Sequence, residues 1–95
     1  MLERQRFYRF DPELWAKSKP ADRYYMARYL VDQHVLIGLT REEVVAKLGD
    51  NPGQIYMLYD LGLARGGTVN IDNDWLEIEI TPPAGKVERV RIRPD

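Results

Sequence analysis

The 95-residue chain contains no cysteine. That absence removes disulfide staples, thiolate metal sites, cysteine nucleophiles and a lipid-anchored amino-terminal cysteine together. Histidine is nearly missing too, since His34 is the only one. No apolar run approaches the roughly 20 residues that a membrane-spanning helix needs. Neither sign of charge is in excess: 14 Lys and Arg stand against 15 Asp and Glu, a net charge of −1 with a pI near 5.8. No overall field therefore draws nucleic acid or an anionic membrane surface. The chain carries no internal repeat and no low-complexity segment, and its length fits one domain with a modest core.

The start, MLERQRFYRFDPELW, is charged throughout and lacks the apolar run of a signal peptide. As it stands the chain reads as cytoplasmic. A leader removed from ahead of Met1 would place it in the bacterial cell envelope instead.

The usual signatures of chemistry are also wanting. His34 as a general base has no cysteine to activate and no G-x-S-x-G serine beside it; a helix-end histidine is the simpler reading. The stretch NIDND (Asn70 to Asp74) faintly suggests a calcium loop, but Trp75 and Thr81 occupy the positions that demand Gly and Glu. GLARGG (Gly62 to Gly67) has no Gly-Lys-Ser/Thr ending and does not link a strand to a helix, so it is no phosphate cradle. No catalytic residue, metal ligand, cofactor or small-molecule substrate is expected.

What is present is punctuation. Asp11 can cap and Pro12 suits a first helical position, so DPELWAKS reads as a short helix anchored by Trp15. Residues 1–19 form an N-terminal arm and residues 20–95 the domain proper. From Pro20, the spacing of Met26, Leu30 and His34, with Arg23 and Ala27 alongside, predicts a helix that runs to Gly38. Thr40 and Glu43 make a capping box, Val44, Val45 and Leu48 a buried stripe, Gly49 a C-terminal cap and Pro52 a stop.

After Gly53 the pattern becomes extended. QIYMLYDLG places Ile55, Met57, Tyr59 and Leu61 on one face and Tyr56 and Leu58 on the other. A short strand is expected around Val69 and Ile71. WLEIEIT alternates, with Leu76, Ile78 and Ile80 inward and Trp75, Glu77 and Glu79 outward. In VERVRIR, Val90 and Ile92 point in while Arg89, Arg91 and Arg93 point out. Opposed residues in a hairpin share a face. The pairing is therefore Ile78 with Val90, Leu76 with Ile92, Glu79 with Arg89, Glu77 with Arg91 and Trp75 with Arg93, across a loop of about five residues. The fold expected is α+β: two helices packed on one face of a three- or four-stranded antiparallel sheet.

These residues resemble a known family. R..MA..L, then L.GLTREEVVAKLGDNP, YDLG, D.DWLEIEI and GKVERVRI are similar to the SmpA/OmlA (BamE-like) domains, whose fold is shared with the β-lactamase inhibitory proteins. The resemblance covers Arg23 to Ile92 and is strongest from Gly38 to Val44, with Leu48, Gly49 and Pro52. It implies the helix–helix–sheet unit, and its motif residues hold that unit together. The chain departs from the family in lacking a leader with a lipidated cysteine and in carrying an additional aromatic arm.

An interaction module is the function expected, with another protein or a second copy of the chain as partner. Tyr24, Tyr25, Tyr56, Leu58 and Trp75 lie off the core stripes, and tyrosine and tryptophan favour interfaces. Arg65, at a loop tip, joins them as a candidate contact. The N-terminal arm would cover some of these aromatics if it folds back over them. Two alternatives remain. One is nucleic-acid binding through Arg4, Arg6 and Arg9 with Phe7, Tyr8 and Phe10, against which the strand arginines already have glutamate partners. The other is an enzyme with an unrecognised site.

Overall fold

The computed structural model describes residues 9–63 and 73–94. Arg65 and the strand expected around Val69 and Ile71 lie outside the described residues. Within them the architecture is α+β: three helices packed with a three-stranded antiparallel sheet in the order β1-β2-β3.

Helix α1 (Pro12–Lys17) begins as its sequence dictates. The Asp11 carboxylate accepts the Glu13 backbone N–H at 2.9 Å, and Pro12 opens the first turn. So short a helix is held by what it buries, and it buries Trp15, which is 1% exposed. The indole N–H donates to the Leu48 carbonyl at 3.0 Å, and the ring meets Tyr59 edge-on at 6.2 Å. The Arg23 guanidinium lies 4.8 Å over the indole centroid while its Nε donates to the Trp15 carbonyl at 2.8 Å. Burial lowers the Arg23 pKa, and the charge of Asp60 works against that shift. The arm's anchor thus sits inside the core, beneath the helices.

A 3-10 turn (Pro20–Arg23) leads into α2 (Tyr24–Asp32), which buries Met26, Ala27 and Leu30. The helix stops at Asp32, earlier than the Gly38 expected from periodicity. His34 takes a left-handed conformation, φ 55°. Its N–H donates to Val31 O at 3.3 Å and the Val35 N–H donates to Leu30 O at 3.3 Å. These two bonds close the helix in a Schellman motif, with histidine where glycine is usual. Leu36 is fully buried all the same, plugging the core from an irregular segment. Gly38 does have positive φ, 86°, but in this connector.

The connector then joins the sheet. The Gly38 N–H donates to Val87 O at 2.9 Å and the Val87 N–H to Leu39 O at 2.7 Å, with a bridge between Thr40 and Lys86. Helix α3 (Arg41–Leu48) carries the expected capping box: the Thr40 N–H donates to Glu43 Oε1 at 2.9 Å, and the Glu43 N–H to Thr40 Oγ1 at 3.2 Å. The bonds from the Thr40 backbone and hydroxyl hold the Glu43 carboxyl below its ordinary pKa. Val44 and Leu48 are buried, and Gly49 ends the helix.

Arg41 straps the next turn, donating to Gly53 O at 2.9 Å and to the Asn51 carbonyl. Asn51 in turn donates to Leu58 O at 2.7 Å on the outer edge of the sheet. A Cβ on Gly53 would lie 1.8 Å from Tyr56 O, so only glycine permits this approach.

Strands β1 (Tyr56–Leu63), β2 (Asn73–Thr81) and β3 (Lys86–Pro94) form the sheet. Met57, Tyr59 and Leu61 face inward; Ile55 precedes the strand and is half exposed rather than inward. All five pairings expected for the β2–β3 hairpin occur. Two bulges adjust the ladder. In β1, Leu61 and Gly62 occupy the gap between the Asp60–Trp75 and Leu63–Asn73 pairs. Gly62 has φ 84°, and a Cβ there would meet the Ala21 backbone at 2.8 Å. In β3, Glu88 is the residue in excess, so Val87 pairs with Ile80 and turns inward to 3% exposure. The hairpin turn is Pro82 to Gly85. Helices and the inner sheet face together enclose one core.

Candidate functional site

The helices cover one sheet face and no described element covers the other. Because side chains alternate along a strand, the register of three strands fixes the open face as a grid. Tyr56, Glu79 and Arg89 form its first row; Leu58, Glu77 and Arg91 the second; Asp60, Trp75 and Arg93 the third. Read along the strands, β1 gives Tyr56, Leu58 and Asp60, β2 gives Glu79, Glu77 and Trp75, and β3 gives three guanidiniums. In the first two rows an apolar, an acidic and a basic side chain therefore lie side by side.

Glu77 is the hub. It is 5% exposed although it points away from the core, because its neighbours fold over it. Arg91 Nε donates to Glu77 Oε2 at 3.2 Å and Arg93 to Oε1 at 3.1 Å. Burial pushes the Glu77 carboxyl upward, but hydrogen bonds from Arg91 and Arg93, and then their charges, outweigh it and leave the pKa below its ordinary value. Arg89 faces Glu79 more loosely, 3.6 Å apart with the arginine side chain 67% exposed. Between Tyr56 and the arginine column the surface dips into a shallow open groove of about 260 Å³, floored by Glu77 and Glu79.

The grid joins three of the candidate interface residues. Tyr56 is 53% exposed, Leu58 is 36% exposed, and Trp75 is partly covered in the row of Arg93. Tyr24 and Tyr25 belong to the helical layer instead, where their rings stack edge to face at 5.4 Å and Tyr24 packs on the core. Phe10, the described aromatic of the N-terminal segment, packs on Trp15 at 5.8 Å, against the core.

Sequence reasoning pairs Glu77 with Arg91 but misses its diagonal bond to Arg93, which makes it the centre of the face. The signal was the E-x-E and R-x-R-x-R alternation, which places two arginines within reach of one glutamate. The remaining polar groups of note are structural. The Tyr59 hydroxyl donates to Gly49 O at 2.8 Å, and burial pushes its pKa to about 12. His34 serves as an exposed helix terminus. No cluster of three or more His, Cys, Asp or Glu able to hold a metal ion occurs among the described residues. Likewise no described helix is long and apolar enough to cross a membrane.

Comparison with protein-family models, with curated proteins and with solved structures gives no significant match.

Proposed function

We propose that this chain is a non-enzymatic binding module of the SmpA/OmlA kind, docking another protein on its open sheet face. The observation that carries the reading is a sheet face, covered by no described element, on which Tyr56 and Leu58 stand exposed beside paired rows of charge. Two exposed apolar side chains that adjoin one another and are rimmed by charge form the kind of patch that marks an interaction site. Aromatic and arginine side chains together are also the composition enriched at interface centres.

The same geometry favours protein over nucleic acid. Glu77 and Glu79 lie between the arginines and the exposed Tyr56 and Leu58, so a polyanion crossing the face meets carboxylates, whereas a protein segment can set acidic and apolar side chains on opposite sides of them. Phe10, counted among the stacking groups of a nucleic-acid arm, is packed on Trp15.

A photo-crosslinking amino acid at Leu58, with a second at Gln33 on the helical side as control, tests the reading in the living cell. One discrete cross-linked protein from position 58 and none from position 33 is the expected result. Cross-linking from position 33 alone would move the interface to the helices.

A further inference from the structure

Building on that reading, we propose that the partner presents a short extended acidic segment, whose carboxylates at alternate positions bind Arg89, Arg91 and Arg93 while its intervening apolar side chains rest on Tyr56 and Leu58.

Size comes first. The open grid is three strands wide and three rows long, about 10 Å by 13 Å between its corner Cα atoms. It suits about five residues of extended chain, in which positions i, i+2 and i+4 span roughly 13 Å, the spacing of the three arginines themselves.

Charge comes second. The groove is lined by three arginines and two glutamates; the grid's third carboxylate, Asp60, stands across on β1, so the cations in reach of a ligand are concentrated along β3. Each guanidinium offers about five N–H donors. Among the described residues, Arg91 spends only Nε on Glu77, Arg93 spends one terminal nitrogen, and Arg89 at 3.6 Å makes an ion pair without a hydrogen bond. Most of these donors point to solvent from side chains 67%, 55% and 43% exposed. Such forks fit carboxylate and phosphate alike; a peptide carboxylate is the one that brings apolar neighbours for Tyr56 and Leu58.

A second copy stacked about a two-fold axis along β2 would set Glu77 against Glu77 and Glu79 against Glu79, so self-pairing centred on the face brings like charges together.

The test uses the whole ¹⁵N-labelled chain and three capped seven-residue peptides that alternate valine with aspartate, serine or lysine. The aspartate peptide is expected to shift the Nε–Hε signals of Arg89, Arg91 and Arg93 and the Leu58 amide saturably, and the lysine peptide to shift none. Arg89→Gln, at the loosest ion pair, should leave the melting curve unchanged and weaken the aspartate peptide about tenfold, the effect of one charged hydrogen bond. Equal binding of the serine and aspartate peptides would overturn the acidic partner and leave the docking face standing. A single-stranded oligonucleotide moving the same arginines as strongly would reassign the surface to phosphate. Absence of any shift with all three peptides would overturn the acidic segment, and cross-linking at position 58 then decides the docking reading separately.

Discussion

Glu77→Gln perturbs the centre of the open face with almost no change of shape. It removes a charge that is 5% exposed and accepts bonds from Arg91 at 3.2 Å and Arg93 at 3.1 Å. A hydrogen bond to a charged group contributes about 1.5–3 kcal/mol when shielded. Here the arginine ends are 55% and 43% exposed, so solvent screening reduces each toward the ~0.2–1 kcal/mol of surface pairs. The glutamine amide also presents an N–H₂ to a guanidinium. A net loss of about 1–2 kcal/mol follows, out of roughly 5–14 kcal/mol for a domain of this length. Urea unfolding should show a midpoint lower by about 1 M, at a slope of roughly 1–1.5 kcal/mol per molar.

The pH dependence isolates the cause. The folded Glu77 pKa is depressed. Its stabilisation is therefore fully present above the unfolded value of about 4.3 and is lost as pH falls through the lower folded value. The glutamine variant has nothing to titrate at this position. The gap between the two proteins should be full at pH 7 and should close toward pH 2. A gap undiminished at pH 2 would show that packing rather than charge is lost, and the electrostatic account of the face would fail.

Three further changes probe the scaffold. Trp15→Phe keeps an aromatic ring but strands the Leu48 carbonyl and loosens the site; a loss of about 3 kcal/mol is expected, read as a fall of roughly 12–24 °C in Tm, and a fall under 4 °C would remove Trp15 from the core. His34→Gly relieves the left-handed strain at the end of α2 and should raise stability by about 0.5–1 kcal/mol after the entropy of glycine in the unfolded chain is counted; a loss of stability would contradict the Schellman closure. Leu76→Asp places an unpaired carboxylate at a fully buried position and should abolish the cooperative melt, whereas an unchanged melt would reverse the assigned faces of β2.

The sequence made the hairpin legible because charged and apolar residues alternate from Leu76 to Ile80 and from Arg89 to Arg93. A slip of one residue would set arginine against the core, so the register had one solution. The helix caps were legible for a similar reason: Asp11, Thr40, Glu43 and Gly49 act on backbone groups within a few residues. What escaped depends on tertiary context. Val35 and Leu36 continue an apolar pattern past Asp32, and periodicity cannot say that His34 turns the backbone. Leu36 is buried from a segment that is no longer helical. Val87 is inward only because Glu88 is bulged; the Glu88–Arg89 doublet interrupts the alternation at that point, but a doublet alone does not say which residue is in excess. At the open face, Tyr56, Leu58 and Trp75 were identified by strand parity alone. Parity could not separate them from Tyr24 and Tyr25, which lie on the helical layer, nor show that two arginines close over Glu77.

Solvent paramagnetic relaxation of the free protein, residue by residue with an inert nitroxide, examines the open face most directly. The account predicts strong relaxation at Tyr56, Leu58 and Arg89 and almost none at Met57, Leu76 and Ile78. Protection of Leu58 equal to that of Ile78 would mean that another part of the chain, or a second copy, already covers the face, and the proposed docking surface would not exist.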